Sequence, residues 1–86
     1  MNPDNILKKY SKKHPKIKIW LEEDMVFIEG QSKSLELLGR ILIAQSKYKK
    51  DCGFQISPTS AGKIFFRRSS THGIYIHRVP CKHKNK

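Results

Sequence analysis

The stretch from Ser32 to Lys50 constrains the fold more than any other part of this chain. Leu35, Leu37, Leu38, Ile41, Leu42, Ala44 and Tyr48 fall within one half of a helical wheel, with Glu36, Arg40 and Lys47 opposite. Ile43 breaks the pattern by falling on the polar side. Ser32 is placed to cap the start, Glu36 suits the positive end of the helix dipole, and Lys47, Lys49 and Lys50 suit the negative end. Asp51-Cys52-Gly53 stops the helix. A helix that is apolar over half its circumference must be covered, and its neighbours in sequence show by what.

Upstream, Lys16-Ile-Lys-Ile-Trp-Leu-Glu22 alternates, placing Ile17, Ile19 and Leu21 on one face and Lys18 and Trp20 on the other. Glu22-Glu23-Asp24 is a polar turn, and Met25–Gly30 returns as a second strand, so the pair reads as a β-hairpin. Downstream, Phe54–Ser57, Lys63–Arg67 and Ile74–Val79 are predicted strands, separated by the turn-rich runs Pro58–Gly62 and Ser69–Gly73. Residues 63–79 are expected to form a second hairpin, which Pro80 ends. Ahead of all this, Asn2-Pro3 reads as an N-cap and first helical position, followed by an apolar stripe of Ile6, Leu7 and Tyr10. His14-Pro15 ends that helix.

The order α-β-β-α-β-β-β predicts an α+β fold. Its expected form is a small, mostly antiparallel sheet with the long helix packed on one face, plus a short N-terminal helix. The organisation expected is a basic N-terminal helix or arm (1–15), a single α+β domain (16–80) and a basic C-terminal tail (81–86). If the strand at 16–22 or at 74–79 lies at an edge, it can pair with a second copy to give a homodimer.

Eighty-six residues leave room for one domain, and an apolar share of 37% makes its core small. The charge is +11 and unevenly spread. Residues 1–18 carry six lysines against one acid, residues 19–46 five acids against two cations, and residues 47–86 ten cations against one acid. Such a field favours a polyanionic or acidic partner. The opening residues lack the apolar region of a secretory signal, and Leu35–Ala44 is too short and too interrupted to cross a bilayer. Two cysteines, Cys52 and Cys81, do not make a disulfide framework. A reduced, cytoplasmic setting with no membrane association is therefore expected.

Three constellations bear on chemistry. Cys52, His72, His77, Cys81 and His83 supply metal-ligand types, but His77-x3-Cys81-x-His83 matches no common zinc spacing. Cys52 is read instead as a small buried hydrophobe, with no metal or cofactor expected. His72, His77 and His83 with Arg67, Arg68 and Arg78 are the groups a metal-independent ribonuclease uses, yet no spacing makes them converge, so no catalytic residue is assigned. In the expected 63–79 hairpin, Phe65, Phe66, Arg67 and Arg68 face Tyr75, His77 and Arg78, a mixture of rings and cations suited to bases and phosphates or to a protein interface. Arg67, Arg68, Tyr75, His77 and Arg78 are the predicted partner-binding residues.

The strings Ile28-Glu-Gly, Ser34-Leu-Glu-Leu-Leu-Gly-Arg-Ile-Leu-Ile-Ala, Asp51-Cys-Gly-Phe-Gln-Ile-Ser-Pro, Gly62-Lys-Ile-Phe-Phe and Gly73-Ile-Tyr-Ile-His-Arg-Val-Pro-Cys occur in that order. Over residues 26–81 this order resembles small bacterial immunity proteins of polymorphic toxin systems. Related chains tend to carry a histidine-rich strand where this one has Phe54-Gln55-Ile56, and a proline/acid turn where it has Arg67-Arg68-Ser69-Ser70. The resemblance implies a non-enzymatic protein that neutralises a toxin by occluding it. The +11 charge would then call for an acidic surface on that partner. A nucleic-acid-binding protein, or a small basic endoribonuclease toxin, is the alternative that the same cations support.

Overall fold

A computed structural model describes residues 2–13 and 15–81. Helix α1 (Pro3–Tyr10) and a 3-10 turn (Ser11–Lys13) lead into strands β1 (Ile17–Glu22) and β2 (Met25–Gly30). Helix α2 (Ser32–Lys47), β3 (Gly53–Ile56), a 3-10 turn (Lys63–Phe65) and β4 (Ile74–His77) follow. The fold is α+β, as the element order predicts. Its antiparallel strands form two ribbons, β1–β2 and β3–β4, accompanied by the long helix and the short N-terminal one.

Helix α1 starts as its sequence suggests: Asn2 Oδ1 accepts the Asn5 amide at 2.8 Å, and Pro3 occupies the first turn. Ile6 and Tyr10, one turn apart, bury against α2. Tyr10 donates its hydroxyl to Glu36 Oε2 at 2.8 Å, and Arg40 Nε donates to the same oxygen at 3.1 Å. The Tyr10 hydrogen bond, then those from Arg40 and Lys33, hold the Glu36 carboxyl down at about 2. Glu36 is therefore the polar hinge that seats α1 on α2.

Helix α2 begins at Ser32 but ends at Lys47, three residues before the expected Lys50. Ser32 is its first residue and not its cap; that place belongs to Gln31, which makes no side-chain capping bond. The buried side of α2 is also narrower than the wheel suggests. Leu37, Ile41 and Ala44 are buried, whereas Leu35 and Leu42 stay 47% and 49% exposed. The reason is geometric: α1 covers one flank of α2, and two short ribbons are too small to cover the other. Leu21, on the inner face of the hairpin beyond Ile17 and Ile19, is left exposed in the same way.

The predicted strand at Lys63–Arg67 does not form, and with it goes the 63–79 hairpin. Residues 63–65 make a 3-10 turn, Phe66 makes one parallel bridge to Ile17, and β4 pairs with β3 in the register Gly53–His77 to Ile56–Ile74. Phe65 and Phe66 are adjacent in sequence and both buried. A strand points neighbours to opposite faces, so it cannot bury both in a one-sided sheet; a tight turn can. Gly62 opens that turn at φ 79°, where a Cβ would also strike the side chain of Ile56 at 2.5 Å.

The segment after the turn replaces a third strand along the outer edge of β1. Arg67 N donates to Ile17 O at 2.8 Å, Thr71 N to Ile19 O at 3.0 Å and His72 N to Ile19 O at 3.2 Å. The buried Ser70 Oγ accepts the Ile19 amide at 2.9 Å. β1 is thus an interior strand. Among the described residues, the outer edge of β2 pairs with nothing, and β4 pairs only with β3. Ile6, Tyr10, Ile17, Ile19, Leu37, Ile41, Ile56, Phe65 and Phe66 close the core between these layers.

Candidate partner-binding surface

The anchoring of residues 66–72 on β1 fixes where Arg67 and Arg68 point. Both are exposed, and both line an open cleft of about 470 Å³ with Lys16, Lys63, Ile64 and Phe66. Lys16 Nζ donates to the Ile64 carbonyl at 2.6 Å, which ties the start of β1 to the 3-10 turn. A second cleft of about 330 Å³ adjoins it through Lys16 and Arg67, and adds Lys13, Lys33, Gln31 and Ser34. Gln31, Lys33 and Ser34 belong to the start of α2, the positive end of its dipole. Ser34 Oγ accepts the Lys16 amide at 3.0 Å, joining the two walls. Among the described residues neither cleft carries a carboxylate on its lining.

Six cations from three separate stretches of chain (13–16, 33 and 63–68) therefore surround one ridge. Mutual repulsion of exposed cations is tolerable in water, but any anion placed between them is attracted by all at once. The lysines of this set were not among the predicted binding residues. In sequence they are spread from position 13 to position 63, and only the chain path brings Lys13, Lys16, Lys33 and Lys63 to Arg67.

The other predicted residues lie apart from Arg67 and Arg68 in the fold. Tyr75 and His77 share one face of β4, with ring centroids 6.1 Å apart, and both are exposed. Tyr75 lies over Gly53 so closely that a Cβ there would collide with its hydroxyl. Arg78 points the other way along the strand and is half-buried. Its guanidinium donates to the Tyr48 carbonyl at 2.7 Å, and its amide donates to Cys52 O at 2.8 Å. A cation on the last carbonyls of α2 stabilises the helix end, so Arg78 has a structural role there.

Cys52 is buried, as expected, but it is not a free thiol: its sulfur is bonded to Cys81, twenty-nine residues on. The expectation that the two cysteines stay unpaired is thereby overturned. The cause is the β3–β4 ladder, which sets His77 opposite Gly53 and so carries the following residues back past Cys52. An imidazole nitrogen of His77 and the two sulfurs all lie within 4.8 Å of one another. His72 is elsewhere, its Nδ1 2.7 Å from Thr71 Oγ1. His83 and the lysines of the tail lie outside the described residues, as does His14. No helix among the described residues is long and apolar enough to cross a membrane. Comparison of the chain with protein-family models, curated proteins and solved structures finds no match.

Proposed function

We propose that this chain is a non-enzymatic binding protein of the immunity type, which occludes an acidic protein toxin by seating it on the clefts around Arg67. The carrying observation is the ridge itself: Lys13, Lys16, Lys33, Lys63, Arg67 and Arg68 gathered around two joined clefts with no carboxylate on the lining among the described residues. Arginines are the cations that most often anchor protein interfaces, because the planar guanidinium pairs with a carboxylate through two hydrogen bonds. The class of partner is taken from the resemblance of the motif order over residues 26–81 to immunity proteins.

Two features favour protein over nucleic acid as the ligand. Phe65 and Phe66, rings of the kind that stack on bases, are each only 5% exposed and belong to the core. Ile64, at the cleft rim, is 58% exposed and offers apolar contact beside the cations. A ribonuclease would need a proton donor and acceptor beside the cations; His72 is engaged with Thr71, and His77 lies against two sulfurs. Tyr75 and His77 extend the surface as an exposed aromatic pair. We place the chain in the cytoplasm, where reduction would open the Cys52–Cys81 bond seen in the structure.

The test is a pull-down from the native host with and without nuclease treatment, followed by binding of the purified partner. An acidic protein should be retained after nuclease treatment, and Arg67→Ala with Arg68→Ala should weaken its affinity at least about tenfold. Loss of the captured material on nuclease treatment, with a steep salt dependence of binding, overturns the reading in favour of nucleic acid.

A further inference from the structure

Beyond the cationic clefts, one side-chain cluster combines soft ligands with a nearby imidazole. Cys52 is buried at the entry to β3, Cys81 is half-buried beyond the end of β4, and His77 is the last residue of β4. The ladder pairs His77 with Gly53, and the Arg78 amide bond to Cys52 O extends it one step further. The backbone therefore brings His77 to within one residue of Cys52 across the ladder, and its imidazole lies within 4.8 Å of both sulfurs. We propose that Cys52, His77 and Cys81 form a site for a thiophilic cation, Zn(II) first, that is open when the cysteines are reduced and closed when they are joined.

Zinc bonds sulfur at about 2.3 Å and imidazole nitrogen at about 2.0–2.1 Å in a tetrahedron, so its ligand atoms sit roughly 3.4–3.8 Å apart. The three atoms here already lie within 4.8 Å of one another. Reduction needs only side-chain rotation to part the sulfurs, and Cys81, outside any strand, is free of ladder constraints. Two thiolates, one neutral imidazole and water complete the sphere, and the two thiolate charges cancel that of the ion. This neutrality matters on a chain of +11 charge, where a cation bound by neutral ligands alone would be repelled.

The chemistry balances as follows. A dithiol reductant transfers two electrons and two protons to the Cys52–Cys81 bond, which breaks to give two thiols, while the reductant becomes a disulfide. Binding of the ion releases both thiol protons to solvent and forms two sulfur–metal bonds and one nitrogen–metal bond. A disulfide oxidant reverses this: the sulfurs rejoin, the oxidant is reduced to two thiols, and the ion leaves because a disulfide is a poor ligand. The site would thus report the thiol–disulfide state of its surroundings as bound or released metal.

The experiment uses the whole chain, reduced with a phosphine and titrated anaerobically with Co(II). Reduced protein should show a thiolate-to-cobalt charge-transfer band and the intense visible bands of a four-coordinate ion, both bleached by one equivalent of Zn(II). Oxidised protein should show neither. His77→Ala leaves both cysteines and the core in place, and should weaken Zn(II) at least tenfold in competition with a chromophoric chelator. Far-UV circular dichroism follows folding throughout. Absence of the cobalt bands, equal zinc affinity in His77→Ala, or a reduced chain that stays unfolded with zinc present would each overturn the proposal. None of these results bears on Arg67 and Arg68, so the reading of the clefts stands or falls separately.

Discussion

Ser70 carries a disproportionate share of the connection between the core and the cationic ridge. Its Oγ accepts the Ile19 amide at 2.9 Å and shares its proton between Ile19 O, at 3.2 Å, and His72 O, at 3.3 Å. Ile19 is only 1% exposed. Ser70→Ala removes the acceptor and leaves the Ile19 N–H buried without a partner, at a cost of about 1–3 kcal/mol. The backbone bonds from Arg67, Thr71 and His72 to β1 remain, so the segment should loosen without detaching. A chain of this length has a total stability of roughly 4–13 kcal/mol. At about 4–8 °C per kcal/mol, the variant should therefore melt roughly 5–20 °C below the parent. Thermal unfolding followed by circular dichroism measures this, and amide exchange at Ile19 locates it. A melting temperature within about 2 °C of the parent, with Ile19 equally protected, would refute the reasoning.

Two further outcomes can be measured. The Glu36 carboxyl is held at about 2, below its ordinary value of 4.5, so its contribution to stability is present above the ordinary value and is lost as pH falls through about 2. Tyr10→Phe removes the largest cause of that depression, so the loss should begin at higher pH, as read from the Glu36 carboxyl resonance and from melting temperature against pH. Separately, Cys52–Cys81 closes a loop spanning 29 residues, for which chain entropy gives about 3–4 kcal/mol. Reduction in the presence of a metal chelator should lower the unfolding free energy measured by denaturant titration by that amount, and an unchanged value would mean the bond does not constrain the unfolded chain.

Much of the architecture was legible residue by residue. The alternation of Lys16–Glu22 and Met25–Gly30 specified a hairpin, the spacing of Leu37, Ile41 and Ala44 specified a helix, and Asn2-Pro3 specified the start of another. These signals are local, because backbone period and capping chemistry act within a few residues. The same local reasoning misread Lys63–Arg67, since β-propensity there competes with the need to bury Phe65 and Phe66 together. The candidate site was only partly legible. Arg67 and Arg68 stood out as a pair, while the other four cations around the clefts are lysines spread from position 13 to position 63.

Amino-acid order by itself thus determined the helices, the first hairpin, the α+β class and the excess of positive charge. Tertiary structure decided which cations share a cleft, that Arg78 caps a helix, that β1 is interior, and that Cys52 meets Cys81 beside His77. The division has one physical cause. Periodicity and capping are set by neighbours a few bonds away, whereas convergence depends on where a chain returns after long excursions. That return is settled by the packing of the whole core.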